Sequence, residues 1–298
     1  MKVLVLMSTY NGERYLKEQI LSIINQNFDN ISILVRDDGS TDSTIKILES
    51  FKKEYGNIDY YKGDMNVGPA QSFLQLINKA PLEYDYYFLS DQDDFWMPDK
   101  VHNAIDCMQG CCSAAMYYSA TELVDQNLQH IGYNFRQPRF SKSLVYSFLK
   151  GSLISGCTIC INKPLISMLK KYLPTEVSMH DTWIHYLCLS IGGKIFSDSS
   201  AHIKYRQHST NVLGIHKMTI LEKYKKNFVI NRKPRRMATQ LVYNYSNELS
   251  KEACIFLNSF ICYNQSLRKK IMFTNFVLKE MAFKDKIYVL LKILLEKY

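Results

Sequence analysis

Short apolar runs alternate with amphipathic segments over the first hundred residues of the chain. Apolar runs bounded by polar residues predict buried strands at residues 2–7, 31–35, 58–61 and 86–89. Between these runs, apolar side chains recur every three to four residues, as at Leu16, Ile20 and Ile23, which predicts helices. Asn11 is predicted to cap the first helix. Such alternation predicts an α/β fold with a Rossmann-like, mostly parallel sheet flanked by helices.

The pattern becomes less regular after residue 100. Further strands are predicted at residues 114–119, 155–161, 194–196 and 202–205, and a loop region at residues 125–142. Met179 precedes an apolar helix that is predicted to end near Ile191. After Ile215 the chain is predicted to form basic, aromatic-rich helices. We therefore expect a first domain at residues 1–214 and a helical extension at residues 215–298.

Four polar loops follow the four predicted strands of the first hundred residues. We call them the first loop (residues 8–13), the second loop (36–42), the third loop (63–69) and the fourth loop (90–96). Parallel strands bring such loops to one edge of the sheet, which is where open α/β sheets bind their ligands. This edge contains neither a dinucleotide-binding glycine motif nor a P-loop. It contains carboxylates instead, at Asp37, Asp38, Asp91, Asp93 and Asp94.

Crowded carboxylates at a strand exit repel one another unless a cation binds them, and a hard divalent ion prefers oxygen ligands. A metal ion on the fourth loop would neutralise a diphosphate, and an acid after the second strand would accept hydrogen bonds from a base or ribose. These residues predict a site for a nucleotide diphosphate that is bound through its metal. The alternative is a solvated acidic turn in which Asp99 caps the next helix.

The four loops contain the motifs Ser8-Thr9-Tyr10-Asn11, Arg36-Asp37-Asp38-Gly39-Ser40-Thr41-Asp42, Asn66-Val67-Gly68 and Ser90-Asp91-Gln92-Asp93-Asp94-Phe95-Trp96-Met97-Pro98. The order and spacing of these motifs resemble those of family 2 glycosyltransferases of the GT-A fold. Met179-His180-Asp181 and the segment from Tyr205 to Gly214 extend the resemblance. The form of the fourth motif is similar to that of the rhamnosyltransferase-like branch of bacterial O-antigen and capsular polysaccharide synthesis. Residues 215–298 contain no comparable motif.

The resemblance implies roles for individual side chains. The expected nucleotide-sugar-binding residues are Thr9, Tyr10, Asn11, Glu13, Asp38, Gly39, Asn66, Gly68, Asp91, Trp96 and Arg206. Asp93 is the expected metal ligand, with Asp91 and His208 as further candidates, and Asp181 is the expected catalytic base. Alternatives remain: Asp181 caps its helix, Asp38 is a turn residue, His208 is structural, and Trp96 packs in the core. Asp94 receives no role.

The resemblance further implies an inverting, single-displacement transfer that uses Mg²⁺ or Mn²⁺. A base must take the proton of the acceptor hydroxyl, and positive charge must stabilise the departing diphosphate. Relatives often carry a basic residue after the third motif, but residues 68–73 contain none, so Arg206 is the expected cation. The expected donor is dTDP-L-rhamnose and the expected acceptor a saccharide linked to polyprenyl diphosphate. A UDP-hexose donor and a non-catalytic nucleotide-sugar-binding protein are the alternatives.

The net charge of +9 is concentrated at the C-terminal end. Residues 215–298 contain 17 Lys and Arg but only 6 Asp and Glu. Such a segment suits an anionic membrane surface. The alternative is a set of solvated helices that pack on the first domain or on a second subunit of a homo-oligomer. No recognised motif indicates nucleic-acid binding. The N-terminal apolar run is too short for a signal peptide, which predicts a cytoplasmic protein. If the basic segment binds lipid, the protein would associate peripherally with the inner face of the bacterial cell membrane. The 8 cysteines are expected to be reduced, and the single Cys157-Thr-Ile-Cys160 motif does not indicate a zinc site.

Overall fold

The structure is a computed structural model that describes residues 1–134, 142–152, 154–208 and 231–297. Nine of its strands form one mixed sheet in the order β3-β2-β1-β4-β8-β6-β9-β5, with β7 paired to β6. The strands are β1 Val3–Thr9, β2 Ile31–Asp37, β3 Ile58–Lys62, β4 Tyr86–Ser90, β5 Phe95–Trp96, β6 Ala115–Val124, β7 His130–Asn134, β8 Cys160–Asn162 and β9 Lys194–Arg206. β3, β2, β1 and β4 are parallel to one another, so the α/β class and the four-loop edge are confirmed.

Helices flank both faces of this sheet. In the described residues they are α1 Leu16–Ile24, α2 Thr44–Glu54, α3 Gly68–Lys79, α4 Lys100–Met108, α5 Leu144–Lys150, α6 Lys163–Leu169, α7 His180–Ser190, α8 Lys233–Asn244, α9 Lys251–Cys262, α10 Leu267–Glu280 and α11 Phe283–Leu294. Because β1 is covered on both sides, it is apolar at successive positions. Val3 and Val5 pack in the cluster that contains α1, α2 and α4, whereas Leu4 and Leu6 pack in the cluster that contains α3 and α7.

The C-terminal helices share the second of these hydrophobic clusters. Phe256, Phe260 and Phe273 are buried in the same cluster as Trp183 of α7 and Leu6 of β1. The expected boundary near residue 215 lies outside the described residues. No helix in the described ranges has both the length and the apolar content that a membrane span requires.

Three sequence predictions of local structure are wrong. Residues 155–161 are not one strand, because Gly156–Thr158 forms a 3-10 turn and β8 begins only at Cys160. Residues 194–206 form one strand rather than two, because pairing with β6 carries β9 across its polar middle. The expected loop at residues 125–142 contains β7, which pairs with β6.

Asn11 does not cap α1, which corrects a fourth prediction. The helix begins at Leu16, and Tyr15 occupies the N-cap position without a side-chain cap. Asn11 has a φ of 48°, in the left-handed region that asparagine tolerates better than most residues. Its side chain instead accepts a hydrogen bond from the backbone N–H of Thr41, at 2.8 Å.

Candidate active site

The first and second loops are joined by reciprocal hydrogen bonds. The backbone N–H of Asn11 donates to Ser40 Oγ at 2.9 Å, in addition to the contact of its side chain with Thr41. Glu13 Oε2 accepts a hydrogen bond from the backbone N–H of Ser43 at 2.9 Å. Tyr10, by contrast, is 49% exposed. Asn11 and Glu13 therefore fix the shape of this edge, while the Tyr10 side chain faces solvent.

Gln92 joins the first loop to the fourth loop, and the sequence analysis missed this residue. Its Oε1 accepts from the backbone N–H of Tyr10 at 2.9 Å, and its Nε2 donates to the Tyr10 carbonyl at 3.0 Å. A Cβ added at Gly12 would lie 2.2 Å from Gln92 Oε1, so only glycine leaves room for this amide. The signal in the sequence that could have identified Gln92 as part of the site is its position between Asp91 and Asp93.

The two acids of the second loop have different partners. Asp37 accepts hydrogen bonds from Thr9 Oγ1 at 3.2 Å and from the backbone N–H of Ser40 at 2.9 Å. Asp38 forms an ion pair with Arg36 and accepts from the backbone N–H of Gly68 at 2.8 Å. The carboxylate of Asp38 thus joins the second loop to the third.

Backbone geometry explains the glycines of the second and third loops. Gly39 has a φ of 91° and Gly68 a φ of 76°, conformations that L side chains rarely adopt. Asn66 Oδ1 accepts a hydrogen bond from the backbone N–H of Gly68 at 3.1 Å, which closes the turn before α3. These three residues position the loop backbone at the edge of the sheet.

The fourth loop brings three carboxylates together at the end of β4. Burial, followed by the negative charges of Asp93 and Asp181, raises the pKa of Asp91 to about 7. Burial and the charges of Asp93 and Asp91 raise the pKa of Asp94 well above its usual range. Asp94 Oδ1 accepts from the backbone N–H of Arg206 at 3.3 Å, which joins the acidic motif to the end of β9.

Arg206 is buried and its guanidinium is held by groups of the protein itself. Nε donates to the carbonyl of Asp93 at 2.8 Å, and one terminal nitrogen donates to the carbonyl of Gln126 at 2.6 Å. The guanidinium also forms an ion pair with Glu18 and lies 4.4 Å from the ring centroid of Tyr15. Arg206 is the residue expected to contact the diphosphate. In this structure its guanidinium instead fixes the end of β9 against the acidic residues of the fourth loop.

Asp181 lies in the first turn of α7 and is 9% exposed. Its carboxylate accepts hydrogen bonds from the backbone N–H and the hydroxyl of Thr182, while Met179 occupies the N-cap position. The N-cap alternative for Asp181 is therefore not observed. Burial raises the pKa of Asp181 to about 6, although the bonds from Thr182 favour the ionised form. A carboxylate with a pKa near neutrality suits a general base.

His180, which precedes this acid, was not predicted as part of the site. Its ring stacks on Phe73 with centroids 4.1 Å apart, and burial lowers its pKa to about 3, so it is neutral. Neither ring nitrogen has a hydrogen-bond partner among the described residues. A Cβ added at Gly156 would lie 2.6 Å from His180 Nε2. Gly156 therefore leaves room for the His180 ring, and in this way it helps to position the first turn of α7, which contains Asp181.

Trp96 is fully buried. Its side chain was expected either to contact the nucleotide sugar or to pack in the core, and the structure shows it packed in the core. Its ring lies 5.6 Å from that of Phe88, and the ammonium of Lys100 lies 4.8 Å from its centroid. This corrects the expectation that Trp96 contacts the sugar. Lys100 donates to the Cys157 carbonyl at 3.0 Å, and burial lowers the pKa of its ammonium to about 8.

Two sets of donor atoms near the fourth loop are candidates for holding a divalent cation. Asp93 Oδ2 and His208 Nε2 lie 3.0 Å apart. The side-chain donor atoms of Asp91, Asp94 and Cys157 lie within 4.8 Å of one another. Burial raises the pKa of Cys157 well above its usual range, so its sulfur stays protonated and is a poor ligand for a hard ion. The donor pairs that could hold Mg²⁺ or Mn²⁺ are therefore Asp93 with His208 and Asp91 with Asp94.

The sequence profile of the family described as Glycosyl transferase family 2 matches residues 4–167. The chain belongs to this family. The dTDP-rhamnosyl transferase RfbG of Shigella flexneri is 30% identical to this chain over an alignment of 313 residues. The alignment covers 97% of this chain and 99% of that protein. The resemblance of the loop motifs to family 2 glycosyltransferases is thereby confirmed.

Solved structures of glycosyltransferases share the fold. The S. aureus TarS fragment in complex with UDP-GlcNAc has a TM-score of 0.61 at 17% sequence identity and covers 94% of this chain and 80% of its own. The mannosyltransferase PcManGT of Pyrobaculum calidifontis, in complex with GDP-Man and Mn²⁺, has a TM-score of 0.51 at 16% identity and covers 100% of this chain and 88% of its own. The GT-A fold of the chain is confirmed by this likeness.

Proposed function

We propose that the protein transfers L-rhamnose from dTDP-L-rhamnose to a hydroxyl of a growing saccharide linked to polyprenyl diphosphate. The observation that carries the proposal is the electrostatic interaction of Asp91 with both Asp93 and Asp181, the latter about ninety residues further along the chain. The choice of donor is supported by the similarity to the Shigella flexneri dTDP-rhamnosyl transferase RfbG. Bacterial O-antigen or capsular polysaccharide is the proposed product, made at the cytoplasmic face of the membrane.

The nucleotide would bind across the first, second and third loops. Tyr10 is the exposed aromatic side chain of this edge and would stack on the base. Thr9, Asp38 and the backbone around Gly39 would supply polar groups to the base and ribose. Asn11, Glu13, Asn66 and Gly68 keep these loops in register through the hydrogen bonds described above.

Asp93 would hold the divalent cation, with Asp91 and His208 as neighbouring ligands. When bound, Mg²⁺ or Mn²⁺ supplies positive charge to the departing diphosphate. Arg206 acts on the same site indirectly, because its guanidinium donates to the carbonyl of Asp93 at 2.8 Å and so fixes the backbone of that acid. In this proposal the first three loops bind the nucleotide, and the fourth loop binds the diphosphate through the metal.

Asp181 would accept the proton of the acceptor hydroxyl as that oxygen attacks the anomeric carbon. The attack comes from the side opposite the departing diphosphate, so the anomeric configuration inverts and no covalent enzyme intermediate forms. With a pKa of about 6, Asp181 is ionised at pH 7 and still basic enough to take the proton. The backbone N–H and the hydroxyl of Thr182 hold this carboxylate in place at the start of α7.

A donor panel tests the proposal. Release of nucleoside diphosphate from dTDP-L-rhamnose, UDP-glucose and UDP-galactose is measured with Mn²⁺ and with chelator, using a synthetic polyprenyl-diphosphate saccharide as acceptor. We expect turnover of dTDP-L-rhamnose, at least about tenfold loss with chelator, and a similar loss in Asp93→Asn. Asp29→Asn is the matched control, because Asp29 is exposed and remote from the four loops.

Each other result assigns a different function. Preference for a UDP-hexose makes the protein a hexosyltransferase that uses the alternative donor. Nucleotide-sugar binding without turnover makes it the non-catalytic binding protein. Turnover that is insensitive to chelator removes the metal from the proposal and leaves the role of Asp181 intact.

A further inference from the structure

Helix α11 is apolar on two opposite faces. Val289 and Ile293 are buried against the rest of the protein, at 0% and 1% exposure. Ile287, Leu291 and Leu294 follow one another at helical spacing on the other face and are 53%, 46% and 67% exposed. One apolar face suffices for packing on a core. The second face is therefore surplus to the folding of the described part of the chain.

Helix α10 repeats this arrangement. Phe273 and Val277 are buried, whereas Leu267, Ile271 and Leu278 lie along another line of the helix and are 75%, 54% and 44% exposed. We call the exposed apolar residues of α10 and α11 the outer stripes. Apolar side chains that are exposed singly are ordinary, but an exposed apolar stripe on each of two neighbouring helices is typical of a protein that contacts an apolar phase.

The same two helices are strongly basic. Residues 267–298 contain 8 Lys and Arg but only 3 Asp and Glu. Arg268 and Lys279 of α10 are exposed on one flank of its outer stripe, whereas Lys269 is exposed on the opposite side of the helix. Helices that combine an apolar stripe with basic residues lie in the interface of anionic bilayers, where the apolar side chains enter the acyl boundary and the cations contact the headgroups.

We propose that the outer stripes of α10 and α11 dock the protein on an anionic membrane surface. At 12 residues, α11 extends for roughly 18 Å, which suits a helix lying in the plane of the interface. The inner faces of α10 and α11 pack in the hydrophobic cluster that also contains α3 and α7. The docking surface is therefore rigidly connected to the sheet.

Charge favours a lipid surface over a second copy of the chain. A symmetric dimer through the outer stripes would bring the same basic patch from both subunits together, and like charges across an interface oppose association. An anionic lipid surface neutralises that patch. The proposal rests on α10 and α11 alone and does not depend on the proposed donor.

Flotation of the full-length protein with vesicles tests the proposal. Wild-type protein is expected to float with vesicles of phosphatidylcholine and phosphatidylglycerol in equal amounts, and not with pure phosphatidylcholine. Combined Ile287→Ser, Leu291→Ser and Leu294→Ser changes should lower the partition coefficient at least about tenfold, because three apolar side chains no longer enter the bilayer. The matched control combines Ile131→Ser and Tyr133→Ser, which are 57% and 69% exposed on β7.

A charge variant gives an independent readout if the triple serine variant is poorly folded. Arg268→Gln and Lys279→Gln together should also weaken binding about tenfold and flatten its dependence on salt. Equal flotation of wild type and both variants would overturn the proposal, as would failure of wild type to bind the anionic vesicles. A serine variant that changes from dimer to monomer by light scattering, with unchanged flotation, would assign the stripes to a second copy instead.

Discussion

The loop edge and the C-terminal helices are built by different physical means. At the edge, side chains such as Gln92 and Asp38 each satisfy particular backbone groups of another loop, so geometry is set by directional hydrogen bonds. In the C-terminal helices, Phe256, Phe260 and Phe273 pack against one another without such constraints. We therefore expect substitutions at the edge to change activity more than stability, and substitutions in the helices to do the reverse.

Removal of the Asp181 carboxylate tests the first half of this comparison. Asp181→Asn keeps the shape and the first turn of α7 but cannot accept a proton, so we expect turnover to fall about a thousandfold. Affinity for dTDP should change less than about threefold. Turnover assays and calorimetric titration of dTDP on the same sample check both values. Wild-type turnover in this variant would exclude Asp181 as the base.

Truncation of a core aromatic residue in α10 tests the second half. Phe273 is fully buried, so Phe273→Ala should lower the free energy of unfolding by about 3 to 5 kcal/mol. The turnover number of the folded protein should stay within about twofold of wild type. Leu278→Ala, at a position that is 44% exposed, is the control and should cost less than about 1 kcal/mol. Urea unfolding measures the free energy of unfolding of both variants. A large loss of turnover number in Phe273→Ala would contradict the expectation that the helices contribute to stability more than to activity.

The stability of the protein should depend on pH through Asp181. The pKa of this group is about 6 in the folded state against 3.8 for the free side chain, so the folded state binds the proton more tightly. Stability from this group is therefore greatest at low pH and is lost as pH rises from about 4 to about 6, by about 2 to 3 kcal/mol. Unfolding in the presence of chelator should show this difference between wild type and Asp181→Asn. Parallel pH profiles would contradict it.

The smallest effect concerns the turn that supports His180. A methyl group at Gly156 would displace the ring of His180 and, with it, the adjacent Asp181, so Gly156→Ala should lower turnover about tenfold. Gly56→Ala is the matched control, because nothing lies within 4 Å of a Cβ at Gly56. Equal turnover in both variants would show that this turn does not position the base.

The contrast between apolar packing and directional hydrogen bonds also explains which features can be predicted from the sequence. The parallel strands β1, β2 and β4 follow from continuous apolar runs, and the acidic loops follow them directly. The bonds of Gln92 to Tyr10 and of Arg206 to Glu18 join residues far apart in sequence and leave no periodic signal. The alternating apolar residues around Cys157 resemble a strand, yet the pattern does not encode the 3-10 turn at Gly156.

A crystal structure with dTDP and Mn²⁺ tests the central claim most directly. The anomalous signal of Mn²⁺ should lie about 2.1 Å from a carboxylate oxygen of Asp93, and the diphosphate should lie between the second and fourth loops. A manganese peak between Asp94 and Cys157 would contradict this account. So would a nucleotide in the groove of about 840 Å³ that Arg14, Phe95 and Arg206 line.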